Sequence, residues 1–353
     1  MGSPSPAPSS LGTLAGRVDA RLAELLDGEI ARWRAVDPLL EDPLRALEAL
    51  VMAGGKRLRP AFCHWGFVGA GGDPDDPRVV EAGAALEMLH AFALVHDDVM
   101  DGADTRRGRR TAHLAFADQH GAGHWRGESR RFGEGAAILV GDLAHVYADI
   151  LIGDVPADVV DVWHELRLEL NIGQYLDLAG TARGDRDPAL AARIARYKSG
   201  KYTIERPLHV GAALAGRRAD LEGPLSAYGA PLGEAFQMRD DVLGAFGDPH
   251  RTGKPVGKDL REGKPTPLLA AAAARASGEG AALLDKVGAP GLSDADVAGI
   301  QRVMVDTGAL ALIETRIDDL TAVAIDAIEA ADVTPEARDE LVDLARYVAR
   351  RDA

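Results

Sequence analysis

From about Leu14 onward, apolar residues recur at spacings of three and four along nearly the whole chain. Segments such as RVDARLAELLDGEIARW and EAGAALEMLHAFALVHDD carry this pattern and are rich in Ala, Leu and Glu, so they predict helices with a buried face. Strand signals are almost absent. No alternating run of Val, Ile, Thr and aromatics is bounded by hairpin turns, and aromatics make up 5% of the residues. Clusters of Gly, Pro and Asp punctuate the pattern at GAGGDPDDP (69–77), GDVPAD near 153, ARGDRDP near 182 and GDPHRTGKPVG (247–257). The expectation is one all-α domain over residues 14–353 with roughly ten to twelve helices. A disordered tail is expected over residues 1–13, because MGSPSPAPSS can bury nothing. The polar, glycine-rich stretch ADQHGAGHWRGESRRFGEG (117–135) predicts a long surface loop.

Composition narrows the function. The 353 residues include 55 Asp and Glu against 40 Lys and Arg, a net charge of −15, which argues against a nucleic-acid partner. The longest aliphatic run, Leu268–Ala274, is seven residues, well short of the roughly 20 that span a bilayer, so no membrane span is expected. The chain opens without a charged-then-apolar signal segment, and the single cysteine, Cys63, can form no internal disulfide. Both features fit a cytoplasmic protein, with Cys63 as a small buried apolar residue.

The densest chemistry lies in LVHDDVMDGADTRRGRRTAH, residues 94–113. Asp97 and Asp101 fall on one helical face, with Asp98 beside them, and clustered carboxylates repel unless cations neutralise them. A hard divalent cation that completes its shell with water and phosphate oxygens suits such a cluster, and Mg²⁺ is the usual one. Leu86, Leu89, Phe92, Ala93 and Val95 precede the acids, so these end a core-facing helix and not a solvated one. Arg106, Arg107, Arg109 and Arg110 follow, with guanidinium groups suited to forked bonds with phosphate. Acids for a metal beside arginines for an anion suggest a metal-bridged diphosphate.

A second acidic doublet lies in QMRDDVLGAFGDPHRTGKPVGKDLREGK, where Gln237, Asp240, Asp241 and position 244 share a helical face. Lys254, Lys258 and Lys264 follow it. The third element, GGKRLRP (54–60), sets two glycines and three cations at a helix start, an arrangement that suits a bound anion. It is not a phosphate-binding Walker loop, which requires Gly-x-x-x-x-Gly-Lys-Ser/Thr after a strand.

Taken in order, GGKRLRP, DDVMD with TRRG, GDLAH, GQYLDL, YKSGKYT and QMRDD with GKPVGKDLREGK resemble the trans-polyprenyl diphosphate synthases, the farnesyl and geranylgeranyl diphosphate synthases among them. The resemblance spans about residues 50–270. It implies an all-α isoprenoid-synthase bundle around a central cavity, usually a homodimer, with two acidic helices facing each other across three Mg²⁺ ions. By that resemblance Asp97 and Asp101 would bind two metals and Asp240 the third, with Asp98 and Asp241 in or beside the metal shell. Arg106, Lys198, Lys254 and Lys264 would hold the allylic diphosphate, near Gln237 and the hydroxyl of Ser199 or Thr203. Lys56, Arg59, His90 and Arg107 would hold isopentenyl diphosphate. The implied reaction is ionisation of the allylic diphosphate, attack by the isopentenyl double bond and loss of a proton, with no protein nucleophile.

One position departs from the family pattern: the fifth residue of the second motif is Gly244, where the family usually carries aspartate. If the first aspartate makes the direct metal bond, the change removes only an outer acid. Two other readings compete. A class I terpene cyclase also ionises prenyl diphosphates, but typically carries an Asn-Asp-x-x-Ser-x-x-x-Glu second motif and needs no isopentenyl site. A non-catalytic partner subunit of a prenyl synthase would be consistent with Gly244 alone. For the product, Phe92 beside the small Ala93, with Leu89 a turn further, resembles the twenty-carbon type, so geranylgeranyl diphosphate is expected.

Overall fold

The computed structural model describes residues 7–247 and 257–351. These gather into two compact units, one formed by Ser9–His64 with Gly72–Pro156, the other by Trp65–Gly71 with Ala157 onward. The first holds α1 (Ser9–Arg34), a 3₁₀ turn (Pro38–Leu40), α2 (Glu41–Val51), α4 (Pro77–Met100), a hairpin of β1 (Thr105–Arg106) and β2 (Arg109–Arg110), α5 (Ala112–Ala122) and α6 (Ser129–Ile152); α3 runs Leu58–Gly69. The second holds α7 (Ala157–Arg183), α8 (Pro188–Ile194), a π-helix (Ala195–Glu205), α9 (Arg206–Leu214) and α10 (Arg218–Phe246). It continues with α11 (Lys258–Glu262), α12 (Pro267–Ala273), α13 (Gly278–Leu284), α14 (Asp294–Asp306), α15 (Ala309–Glu329) and α16 (Pro335–Arg350).

The periodic segments fold as their patterns dictate. On α1, Leu11, Leu14, Val18, Leu22, Leu26 and Ile30 form a buried stripe at spacings of three and four. Helix α4 is buried nearly all round and packs on α6 and α1. Its Leu86, Met88 and Leu89 are fully buried, each contributing about 1.5–3 kcal/mol on leaving water. An Asp76 side chain caps it by accepting from the Arg78 N–H, and Pro77 supplies a preset first turn. In the second unit α10 packs against the π-helix, α15 and α16. Cys63 is fully buried, and burial pushes its thiol up to about 12, so it is the inert apolar residue expected.

Several expectations change. The described residues contain sixteen α-helices, more than anticipated, because pieces as short as α11, α12 and α13 are too brief to show a period. Helix α1 begins at Ser9 and buries Leu11, ahead of the expected start near Leu14; residues 1–6 of the expected tail lie outside the described residues. The stretch 117–135 is no long loop. Its ends belong to α5 and α6, and the short link between them is held by buried His120, whose Nδ1 lies 2.9 Å from Ser129 Oγ and whose Nε2 lies 3.1 Å from the Arg126 carbonyl. The aliphatic-run criterion also underestimates apolar length: α4 and α6, 24 residues each, are both long and apolar enough to cross a membrane.

Candidate active site

Helix α4 ends at Met100, two residues after its acidic pair Asp97 and Asp98. Asp101 becomes its C-cap, donating its backbone N–H to the Asp97 carbonyl at 2.8 Å. Beyond it the chain reverses in a hairpin whose two central residues, Arg107 (φ 51°) and Gly108 (φ 71°), both take positive φ, as a type I′ turn requires. The hairpin aims Arg106 back at α4. Its Nε donates to Asp98 Oδ1 at 2.8 Å, and its Nη2 donates to Asp98 Oδ1 at 2.5 Å and to Asp97 Oδ2 at 3.0 Å. Burial lowers the Arg106 pKa, but the charges of Asp98 and Asp97 outweigh it and hold the guanidinium firmly protonated. Arg106, expected on an allylic diphosphate, thus compensates the two carboxylates expected on metal.

The basic elements meet at His90. Its pKa is driven well below the ordinary imidazole range, first by burial and then by Arg59, Arg107, Arg106 and Arg57. The glycine-rich segment, α4 and the hairpin therefore bring Arg59, His90 and Arg107 into one cationic neighbourhood, with Lys56 half-buried at the segment's start. Arg107 is itself lowered, by burial and by Arg57, Arg106 and Arg59 against the opposing pull of Glu87. Its Nη1 donates to the Leu50 carbonyl at 3.1 Å. Like charges crowded in this way are relieved by an anion. Arg57, outside the expected set, is structural: it donates to Asp19 at 2.8 Å, Glu87 at 2.6 Å and the Val51 carbonyl at 2.7 Å.

The second acidic site is built by α7, the π-helix, α10 and α11. Lys198 Nζ lies 2.5 Å from Oδ2 of buried Asp177. The approach of the two elements depends on Gly173, where a Cβ would come within 2.6 Å of Lys198 Cα. Of the two expected hydroxyl residues, Ser199 is half-buried, whereas Thr203 is 1% exposed within the unit. Lys201 is taken by Glu169, which also accepts from Arg206 at 2.7 Å.

On α10, Gln237 Nε2 donates to Asp241 Oδ1 at 2.7 Å, confirming their shared face. Asp241 is buried, and its Oδ2 has no hydrogen-bond partner. Its carboxyl is raised well above the usual range, by burial foremost and then by Asp259, with Asp240 and Asp177 adding to the effect. Asp240 itself is held by Arg351. Lys264 Nζ sits 3.3 Å from Glu262 Oε2, and Lys254 lies outside the described residues. An orphaned carboxylate oxygen among three further acids fits a hard divalent cation with oxygen ligands. Among the described residues, no three His, Cys, Asp or Glu side chains converge as a preformed cage. Asp177, Asp259 and Arg351 escaped the sequence reading. Asp177 had a signal, its place in GQYLDL; the other two act through contacts that no spacing reveals.

The expected chain-length residues divide. Leu89 is fully buried, whereas Phe92 and Ala93 are half-buried. The Phe92 ring packs 4.7 Å from His96 and 4.8 Å from His145, centroid to centroid.

Comparison with known proteins bears on this geometry. The family model for polyprenyl synthetase matches residues 41–304. A geranylgeranyl pyrophosphate synthase from Corynebacterium glutamicum, crystallised with isoprenyl diphosphate and magnesium, superposes with a TM-score of 0.92 at 37% identity, covering 97% of this chain and 99% of that one. The geranylfarnesyl diphosphate synthase of Aeropyrum pernix is 34% identical over 276 residues, 76% of this chain and 80% of the relative. The (2E,6E)-farnesyl diphosphate synthase of Mycobacterium tuberculosis is 31% identical over 307 residues, 85% of this chain and 80% of the relative. The chain belongs to the polyprenyl synthetase family, the trans-prenyl diphosphate synthases, and has their all-α isoprenoid-synthase fold.

Proposed function

We propose that this trans-prenyltransferase condenses isopentenyl diphosphate with an allylic diphosphate and releases chiefly geranylgeranyl diphosphate. The observation that carries the reading is like-charge crowding in each unit: arginines around His90 in one, carboxylates around Asp241 in the other. A diphosphate relieves the first and a metal ion the second. Arg59, His90 and Arg107, with Lys56, hold isopentenyl diphosphate. Lys198, Lys264 and Lys254 hold the allylic diphosphate, and Ser199 and Gln237 supply polar contacts. Asp97, Asp101 and Asp240 would hold Mg²⁺, three ions by the family resemblance, which when bound would supply positive charge to the departing diphosphate. A cavity closed to water would protect the allylic cation until the isopentenyl double bond attacks. The proton then leaves to the released diphosphate, so the chain needs no basic side chain of its own.

Support for twenty carbons is the pairing of Phe92 with the small Ala93 above fully buried Leu89. The relatives reach different lengths, so product analysis decides. Purified protein with Mg²⁺, isopentenyl diphosphate and each allylic primer should yield mainly a twenty-carbon diphosphate. No consumption of isopentenyl diphosphate would end the reading, and a product that stops at fifteen carbons or passes thirty would end its chain-length part.

The same reading includes a homodimer. Helix α6 leaves Ile138, Leu139, Val146 and Ile150 exposed, and α7 leaves Leu168, Ile172, Tyr175 and Leu178 exposed. Rows of apolar side chains of this kind favour a second copy of the chain, and sedimentation of a monomer at micromolar concentration would count against it.

A further inference from the structure

Gly244 stands where the second acidic motif lacks its last carboxylate. It is buried on α10, one turn beyond Asp240 and Asp241. A Cβ built there would overlap Asp259 Oδ2 and lie 2.5 Å from Asp259 Cγ and 3.1 Å from Oδ1. The space a side chain at 244 would enter is therefore already filled, and filled by a carboxylate. It arrives from the first turn of α11. Beside it Asp241 is 4% exposed, with an oxygen that has no hydrogen-bond partner. Asp259 is the charge that acts most strongly on Asp241, ahead of Asp240 and Asp177.

We propose that Asp259 is the third carboxylate of the second acidic motif, delivering from α11 the oxygen donors that Gly244 cannot. Gly244 is then the other half of the same device: any side chain at 244 would evict the carboxylate that replaces it. Asp259 positions the cation's outer oxygen ligands, a role whose removal costs metal affinity more than it costs folding. The alternative account, an acid that merely favours the N-terminal end of a five-residue helix, predicts no link to residue 244.

This rests on the reading of the site as a metal and diphosphate centre, so the test separates the two. The full chain is titrated with Mn²⁺ in the presence of inorganic diphosphate, and bound Mn²⁺ is read by electron paramagnetic resonance. Asp259→Asn, nearly isosteric, should weaken Mn²⁺ binding by about tenfold to a hundredfold while circular dichroism and melting stay as in the wild type. The exchange variant, Gly244→Asp with Asp259→Gly, should recover most of that loss, since it returns a carboxylate to the same space. Gly244→Ala, which leaves Asp259 in the chain but displaces its carboxylate, should show the loss again. Unchanged Mn²⁺ affinity in Asp259→Asn overturns the proposal, as does a loss that the exchange variant does not recover. Wild-type protein that binds no Mn²⁺ with diphosphate removes the underlying reading of the site instead.

Discussion

Lys198 and Asp177 form an ion pair at 2.5 Å, and the pair depends on a glycine one turn earlier on α7. Because a methyl group at Gly173 would strike the Lys198 backbone, Gly173→Ala should destabilise the fold by about 1–3 kcal/mol. The displaced lysine should also raise the Michaelis constant for the allylic primer more than that for isopentenyl diphosphate. Denaturant unfolding with paired kinetics checks both, and a variant as stable as the wild type would show that α7 and the π-helix yield freely.

The cationic group around His90 and the lysine on the π-helix should serve different substrates. Arg59→Ala or Arg107→Ala is expected to weaken isopentenyl diphosphate foremost, and Lys198→Ala the allylic primer. Equal movement of both Michaelis constants in every variant would contradict this partition.

Asp97→Ala and Asp240→Ala should each lower turnover by about a hundredfold to a thousandfold or more, the scale of losing charge stabilisation in a transition state. Helix content should hold, since both residues are only partly buried. Arg106 would keep Asp98 as its partner in the first case, whereas Arg351 would lose the Asp240 carboxylate in the second. Turnover near normal in either variant would remove that aspartate from the metal site.

Phe92→Ala should lengthen the product. The ring rests on His96 and His145, and removing it opens space beside α4 for a longer tail. Chromatography of the dephosphorylated products is the measurement; an active variant with an unchanged distribution would relocate the floor of the cavity.

Acid should destabilise the protein through buried histidine. Burial, aided by Arg206 and Arg218 against the pull of Glu222, lowers His209 to about 4, and the residue is 1% exposed. Above pH 6.5 the imidazole is neutral in both folded and unfolded chains. As pH falls from 6.5 towards 4, the unfolded chain takes up a proton that the folded one resists, so stability is lost across that window. The loss amounts to about 3 kcal/mol for this residue. His209→Gln should flatten that part of the unfolding free energy against pH, and an identical slope in variant and wild type would assign the effect elsewhere.

Much of this was legible in the residues. Asp97 and Asp98 could be placed at the end of a core helix because the apolar run before them has a helical period. The hairpin was not legible, since Arg and Gly are poor strand formers and only the paired positive φ of Arg107 and Gly108 creates it. The glycines of 117–135 suggested a loop, but helices on either side override local propensity when tertiary packing rewards it. Asp259 could not be found from spacing at all, because its place is defined by a side chain missing from another helix.

The π-helix at Ala195–Glu205 has a bearing on how such a site could change over generations. Each carbonyl there accepts from a residue one further along than in an α-helix, so the segment holds surplus chain. Deleting one residue at exposed Arg196 would let it tighten towards α-helix while the helices on either side keep their orientation. The side chain opposite Asp177 would then no longer be Lys198. A single-codon deletion, with no substitution anywhere, would change which residue meets Asp177.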